Sequence, residues 1–181
     1  FTGHLEQAGE ASDFVDVQTA DSDAPKGLFP FYVPCPSGED GHFLHRMPIS
    51  AHTIRLNSPY ENHQIEPEMA LLCDIDYVDG RVHAVQPRWA MAHNDCSIRR
   101  EGARKISEKK NWGSHSKGTA KQRIAIDAFT PDGVLKTYRL VSYLYRDGVL
   151  HPYGVDSAVP SYSYFYQPLL DWLIDRFNRQ E

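Results

Sequence analysis

Glu66-Pro67-Glu68-Met69-Ala70-Leu71-Leu72-Cys73-Asp74-Ile75-Asp76-Tyr77-Val78-Asp79-Gly80, followed by Arg81-Val82-His83-Ala84-Val85, is the stretch that decides the fold. From Met69 to Val78 the residues alternate as in a strand, and Asp79-Gly80 is a dipeptide suited to a two-residue hairpin turn. Residues 81–85 are then the return strand. Met69, Leu71, Cys73, Ile75 and Tyr77 share one parity and read as a row facing a core. Glu66 and Glu68 share the opposite parity, one strand repeat apart, which predicts a wet acidic face. Two carboxylates so placed repel each other. Unless water, a shared proton or a cation relieves them, at least one pKa rises and the fold weakens. A divalent metal would relieve them directly. Asp74 and Asp76 have the same parity but approach the turn, so they are expected to face solvent.

Working outward, Pro131-Asp132-Gly133 and Asp147-Gly148 repeat the turn chemistry and separate 123–129, 135–145 and 149–153, each rich in strand formers. Residues 90–95 are expected to form a further strand and 97–110 a charged helix. Upstream, 49–56 reads as a short strand, and Pro25, Pro30, Pro34 and Pro36 limit 28–33 to a short extended piece. At the other end the period changes: Leu169, Leu170, Leu173, Ile174 and Phe177 recur at helical spacing, with Pro168 suited to a first turn. The predicted class is α+β, mostly β with α: meandering hairpins with one or two helices at the edge.

The 181 residues suit one sizeable core, so a single domain over 1–181 is expected. Hydrophobic residues make up 41%, yet no uninterrupted apolar run approaches the roughly 20 residues of a membrane span. No membrane partner is expected. The three cysteines, Cys35, Cys73 and Cys96, are not closely paired and no signal segment opens the chain, which points to a reducing, cytoplasmic setting. A net charge of -5 argues against a nucleic-acid backbone binder. Locally, Arg99, Arg100, Arg104, Lys105, Lys109 and Lys110 form a basic run that could attract an anionic substrate. The chain starts at Phe1 and stops at Glu181 within a helical period, and is expected to be cut at both ends.

Four features in order are more specific than any one: Phe1-Thr2-Gly3-His4, Glu66-x-Glu68 leading into Met69-Ala70-Leu71-Leu72, Asn94-Asp95-x-Ser97-x-Arg99, and Ser116-Lys117-Gly118. The separations are 27 residues from Glu68 to Asp95 and 22 from Asp95 to Lys117. In this the chain resembles the fumarylacetoacetate hydrolase family. It departs from that family at Gln7, where an acid is usual, so Glu6 or Glu10 would have to serve; a Pro-x-Gly-Pro segment after Lys117 is also absent.

The resemblance implies the mixed β-roll of that family's catalytic domain, with edge helices. It implies a metal site at Glu66, Glu68 and Asp95, whose hard oxygen donors suit Mg²⁺, Mn²⁺ or Ca²⁺. It also implies a small β-diketo or 2-oxo acid substrate whose carbon–carbon bond is cleaved, the metal acting as a Lewis acid on enolate charge. In that scheme His4, oriented by Glu6 or Glu10, is the base that activates water, and Lys117 is the electrostatic partner or proton donor. A homodimer is among the expected assemblies. Neighbouring chemistries on the same fold are decarboxylation, isomerisation and hydration. The alternative from a different class is a non-catalytic metal- or ligand-binding domain. Arg99 is expected to pair with a carboxylate, and Cys96 to be a small buried residue rather than a nucleophile.

Overall fold

The computed structural model describes residues 2–3, 23–25, 27–35, 42–100, 106–162 and 164–179. Its strands are β1 (Thr2–Gly3), β2 (Gly27–Leu28), β3 (Ile49–Ser50), β4 (His63–Gln64), β5 (Pro67–Val78), β6 (Arg81–Asn94) and β7 (Ser97–Ile98), then β8 (Lys117–Thr119), β9 (Ile124–Ala125), β10 (Arg139–Leu140), β11 (Tyr143–Arg146), β12 (Val149–Pro152) and β13 (Ser157–Ala158). Helix α1 (Ile106–Lys110) precedes β8, and α2 (Gln167–Arg179) ends the chain. The class is α+β, dominated by strands.

The long hairpin of β5 and β6 turns at Asp79-Gly80, where both residues have positive φ (50° and 76°). That is the backbone of a type I′ turn, whose twist matches paired strands, and glycine adopts it without a Cβ clash. Asp147-Gly148 does the same between β11 and β12, at φ 52° and 81°. The main sheet runs β3-β8-β6-β5, with β9 also pairing with β6. Strand β6 is one 14-residue strand, so the expected pieces at 81–85 and 90–95 are continuous.

By its internal contacts the chain divides into two compact units: Phe1–Ala70 with Met91–Gln122, and Leu71–Ala90 with Arg123–Glu181. In the second unit Val82, Val85 and Leu170 are buried together, with Cys73, Phe129, Ile174 and Phe177 packed around them. This is the apolar face that the helical spacing of the last segment predicts. Phe129 also meets Phe165 and Tyr166 edge-on or tilted, with ring centroids 4.8 and 5.3 Å apart. Asn178, near the end of α2, accepts from the Val82 N–H (2.9 Å) and donates to the Val82 carbonyl (2.8 Å). One amide thus closes both backbone groups of a buried residue. Asn178→Ala leaves both unpaired and is expected to cost about 1–3 kcal/mol, read as a lower urea midpoint at unchanged m-value.

Several expectations need correction. The odd-numbered row of β5 faces a core only at its start, since Ile75 and Tyr77 are 37% and 65% exposed. The acidic face is not wet: Glu66 is buried and Glu68 half-buried, whereas Asp74 and Asp76 are exposed as expected. The charged helix over 97–110 is, among its described residues, a two-residue strand and the five-residue α1. Pro131-Asp132-Gly133 leads into a 3₁₀ turn, Val134–Thr137, because the Asp127 carboxylate accepts from the N–H groups of Ala128 and Val134 (2.7 and 2.8 Å) and ties the chain into a loop. Among the described residues no helix is long and apolar enough to cross a membrane, and no disulfide joins Cys35, Cys73 or Cys96.

Candidate functional site

The open end of the β5–β6 hairpin brings distant acids together. Glu66 stands just before β5 and Asp95 just after β6, and the Asp95 N–H donates to the Glu66 carbonyl at 2.9 Å. The Asn94 side-chain oxygen accepts from the Glu66 N–H at 3.2 Å, which fixes the same junction a second time. Strand β8 lies antiparallel to the end of β6, with Gly118 opposite Asn94, and parallel to β3, with Lys117 opposite Ile49. That register carries Lys117 to Asp95. Helix α1 is held at both ends: the Ser107 hydroxyl donates to the Pro30 carbonyl (2.7 Å), and the Asn111 amide donates to the carbonyls of Phe31 and Arg46 (2.8 and 2.9 Å). Lys110, the last helical residue, is thereby turned inward.

The result is a compact ion network. One oxygen from each of Glu66, Glu68 and Asp95 lies within 4.8 Å of the others. The Lys110 ammonium donates to Glu66 Oε2 and to Asp95 Oδ2, both at 2.6 Å. Lys117, fully buried, pairs with Asp95 Oδ1 at 2.6 Å and donates to the Cys96 carbonyl at 2.5 Å. Glu66 Oε1 accepts from the Ser97 hydroxyl and from Arg99 Nη2, the latter at 3.1 Å. Both oxygens of Glu66 thus accept hydrogen bonds; Asp95 accepts one at Oδ2, while its Oδ1 is held by the Lys117 charge alone, without a hydrogen bond. Glu68, among the described residues, has neither an ion pair nor a hydrogen-bond donor.

The electrostatics follow from this. Burial, then the charge of Asp95, pushes the Glu68 carboxyl up to about 7, and Lys110 offsets only part of it. Burial also acts to raise Asp95, but Lys117 and Lys110 outweigh it and hold its carboxyl below the ordinary range. For Lys110, burial is outweighed by Asp95 and Glu66, so its ammonium is held more firmly than usual. For Lys117 burial wins over Asp95, and its pKa is lowered. Beside them, burial pushes His93 down to about 4, so its imidazole is neutral at pH 7; Nδ1 is 2.8 Å from Thr119 Oγ1.

Of the residues expected from the sequence, Glu66, Glu68, Asp95 and Lys117 come together here. Arg99 pairs with Glu66, and Cys96 is buried beside them with its thiol raised chiefly by burial. His4, Glu6 and Glu10 lie outside the described residues. Lys110 is the residue that sequence reasoning missed. It belongs to the basic run expected to attract an anionic substrate, yet among the described members of that run Arg99 serves Glu66, Arg100 serves Glu61 (2.5 Å), and Lys110 bridges two buried acids. The signal that could have found it is the Asn111 that follows, a polar residue able to anchor the turn.

Residues 10–181 match the model of a family of unknown function, DUF5718, and the chain belongs to that family. No curated protein and no solved structure matches it.

Proposed function

We propose that this member of DUF5718 is a divalent-metal-dependent enzyme acting on a small β-diketo or 2-oxo acid, with hydrolytic cleavage of a carbon–carbon bond as the leading reaction. The observation that carries this reading is the meeting of Glu66, Glu68 and Asp95 within 4.8 Å, with Glu68, among the described residues, in no ion pair. The donor set fits Mg²⁺ or Mn²⁺: three carboxylates supply hard oxygens and leave positions for substrate. Glu66 and Asp95 would offer the oxygens now turned to Lys110, and Glu68 its unpaired ones. When bound, the ion supplies Lewis-acid polarisation of an oxo oxygen.

The chain's own residues carry the rest. Lys110, released from its two acids, is a cation for the substrate carboxylate. Lys117, its pKa lowered by burial, can give a proton to the carbon released by cleavage. His4, with Glu10 or Glu6, is the base for water on the strength of the family resemblance alone. Decarboxylation, isomerisation or hydration of a 2-oxo acid would use the same groups.

A second reading is a catalytically inactive metal- or ligand-binding domain, and one observation favours its ligand-binding form: Lys110 already neutralises the oxygens that an ion needs. Calorimetric titration with Mg²⁺ and Mn²⁺ separates metal binding from a purely structural network. The expected result is saturable binding that weakens at least tenfold in Glu68→Ala; no binding by the parent chain overturns both metal readings. Decay of an acylpyruvate or of oxaloacetate, followed by absorbance, then tests catalysis. Loss of rate in Lys117→Ala is expected, and equal slow decay with parent and variant leaves the binding domain.

A further inference from the structure

Beside the ion network, whose Lys117 ammonium lies 5.8 Å from the centroid of the Trp112 ring, the first compact unit holds a pocket of about 400 Å³ lined by Arg46, Met47, Arg55, Leu56, Asn57, Trp112, Gly113 and Ser114. We propose that this pocket binds a small organic anion, a carboxylate or phosphate ester with a flat apolar body, through Arg46 and Arg55 against the face of Trp112.

Three observations support it. The first is charge. Two arginines and no acid line the pocket, in a chain whose net charge is -5. Among the described residues neither guanidinium makes a hydrogen bond or an ion pair, whereas Arg88, Arg99, Arg100, Arg139 and Arg179 each pair with a carboxylate. A guanidinium presents a planar fork that takes a carboxylate or phosphate with two parallel bonds.

The second is preorganisation. The Arg55 backbone is fixed on both sides, its N–H donating to the His115 carbonyl (2.9 Å) and its carbonyl accepting from the Trp112 indole N–H (2.8 Å). The Arg46 carbonyl accepts from the Asn111 amide at 2.9 Å, and Asn57 Oδ1 is 2.7 Å from His63 Nε2. The backbone frame is set while, among the described residues, the two charged heads make no bond, so little ordering of the frame remains to oppose binding.

The third is the apolar wall. Met47 and Leu56 are 53% and 58% exposed at the pocket, and the Trp112 ring is held edge-on by His63 at a centroid distance of 5.2 Å. Such a lining suits the body of a ligand rather than a bare inorganic ion, and the volume lies within the range of small-molecule sites, roughly 300–1,000 Å³. None of this depends on a metal at the carboxylates.

The test uses the full chain with phenylphosphate and benzoate as probes, and with inorganic phosphate and benzyl alcohol for comparison, by calorimetry at low and moderate salt. At least one aryl anion is expected to bind saturably, at least tenfold more tightly than inorganic phosphate or benzyl alcohol. Arg46→Met and Arg55→Met should each weaken it about tenfold, while Lys121→Met, at an exposed lysine not lining the pocket, should leave it unchanged. Melting temperatures of the variants, expected to match the parent, show that the fold is kept. The proposal is overturned by failure of both aryl anions to bind, by equal binding of benzyl alcohol, or by affinity unchanged in the double arginine variant.

Discussion

Asp95→Asn is expected to lower the stability of the chain by about 3–5 kcal/mol, the usual cost of removing one member of a buried ion pair. Asp95 and Lys117 are both fully buried, 2.6 Å apart. Without the carboxylate, the Lys117 ammonium keeps the Cys96 carbonyl as an acceptor and must stay charged at great cost or give up its proton. Lys110 suffers less, since Glu66 remains at 2.6 Å. The converse change, Lys117→Met, should therefore cost less than Asp95→Asn, because Asp95 keeps Lys110. The double variant should recover much of the loss, its pairwise coupling exceeding 2 kcal/mol in urea unfolding at pH 7. A loss below about 1 kcal/mol in Asp95→Asn would show that water reaches Lys117 and that the network is not the closed one described.

This network was partly legible in the residues themselves. Strand parity and the Asp79-Gly80 turn put Glu66 and Glu68 on one edge, and the motif spacing brought Asp95 and Lys117 into the same group. Parity, however, says which face two carboxylates share and not whether that face is wet. What buries Glu66 is Lys110, Ser97 and Arg99, which reach it from α1, β7 and the residue after β7. Lys110 was invisible for a related reason. A lysine in a basic run looks solvated until long-range contacts, Ser107 to Pro30 and Asn111 to Phe31, turn the short helix inward. Periodicity records only neighbours along the chain. The same limit explains the fold: the strong turns and the amphipathic α2 were readable, whereas 49–56 and 123–129 shrank to two-residue strands because pairing partners, not propensity, set their length.

Glu68→Gln is expected to stabilise the chain in a way that depends on pH, and the sign follows from linkage. The unfolded carboxyl titrates near 4.5 and the folded one near 7. Between these values the native state holds a proton that the unfolded state has released, so stability falls as pH rises through this window. Below 4.5 both states are protonated and nothing is lost; above 7 the loss is complete, on the order of 2–3 kcal/mol for a half-buried group. Glutamine cannot ionise, so the variant should gain that amount at pH 8 and almost nothing at pH 4.5. Asp95 has the opposite dependence, since its lowered carboxyl contributes stability that is lost toward acid, but that loss lies below pH 4.5 and so leaves the window unshaped. A divalent ion gives the complementary arm. If Glu68 is a ligand, millimolar Mg²⁺ or Mn²⁺ should raise the parent's melting temperature at pH 8 by mass action and leave Glu68→Gln nearly unmoved. A parent-minus-variant difference that is flat from pH 4.5 to 8 would mean that Glu68 is ordinary and solvated. A difference that follows pH as described but is indifferent to the metals would keep the strained carboxylate and remove the metal from it.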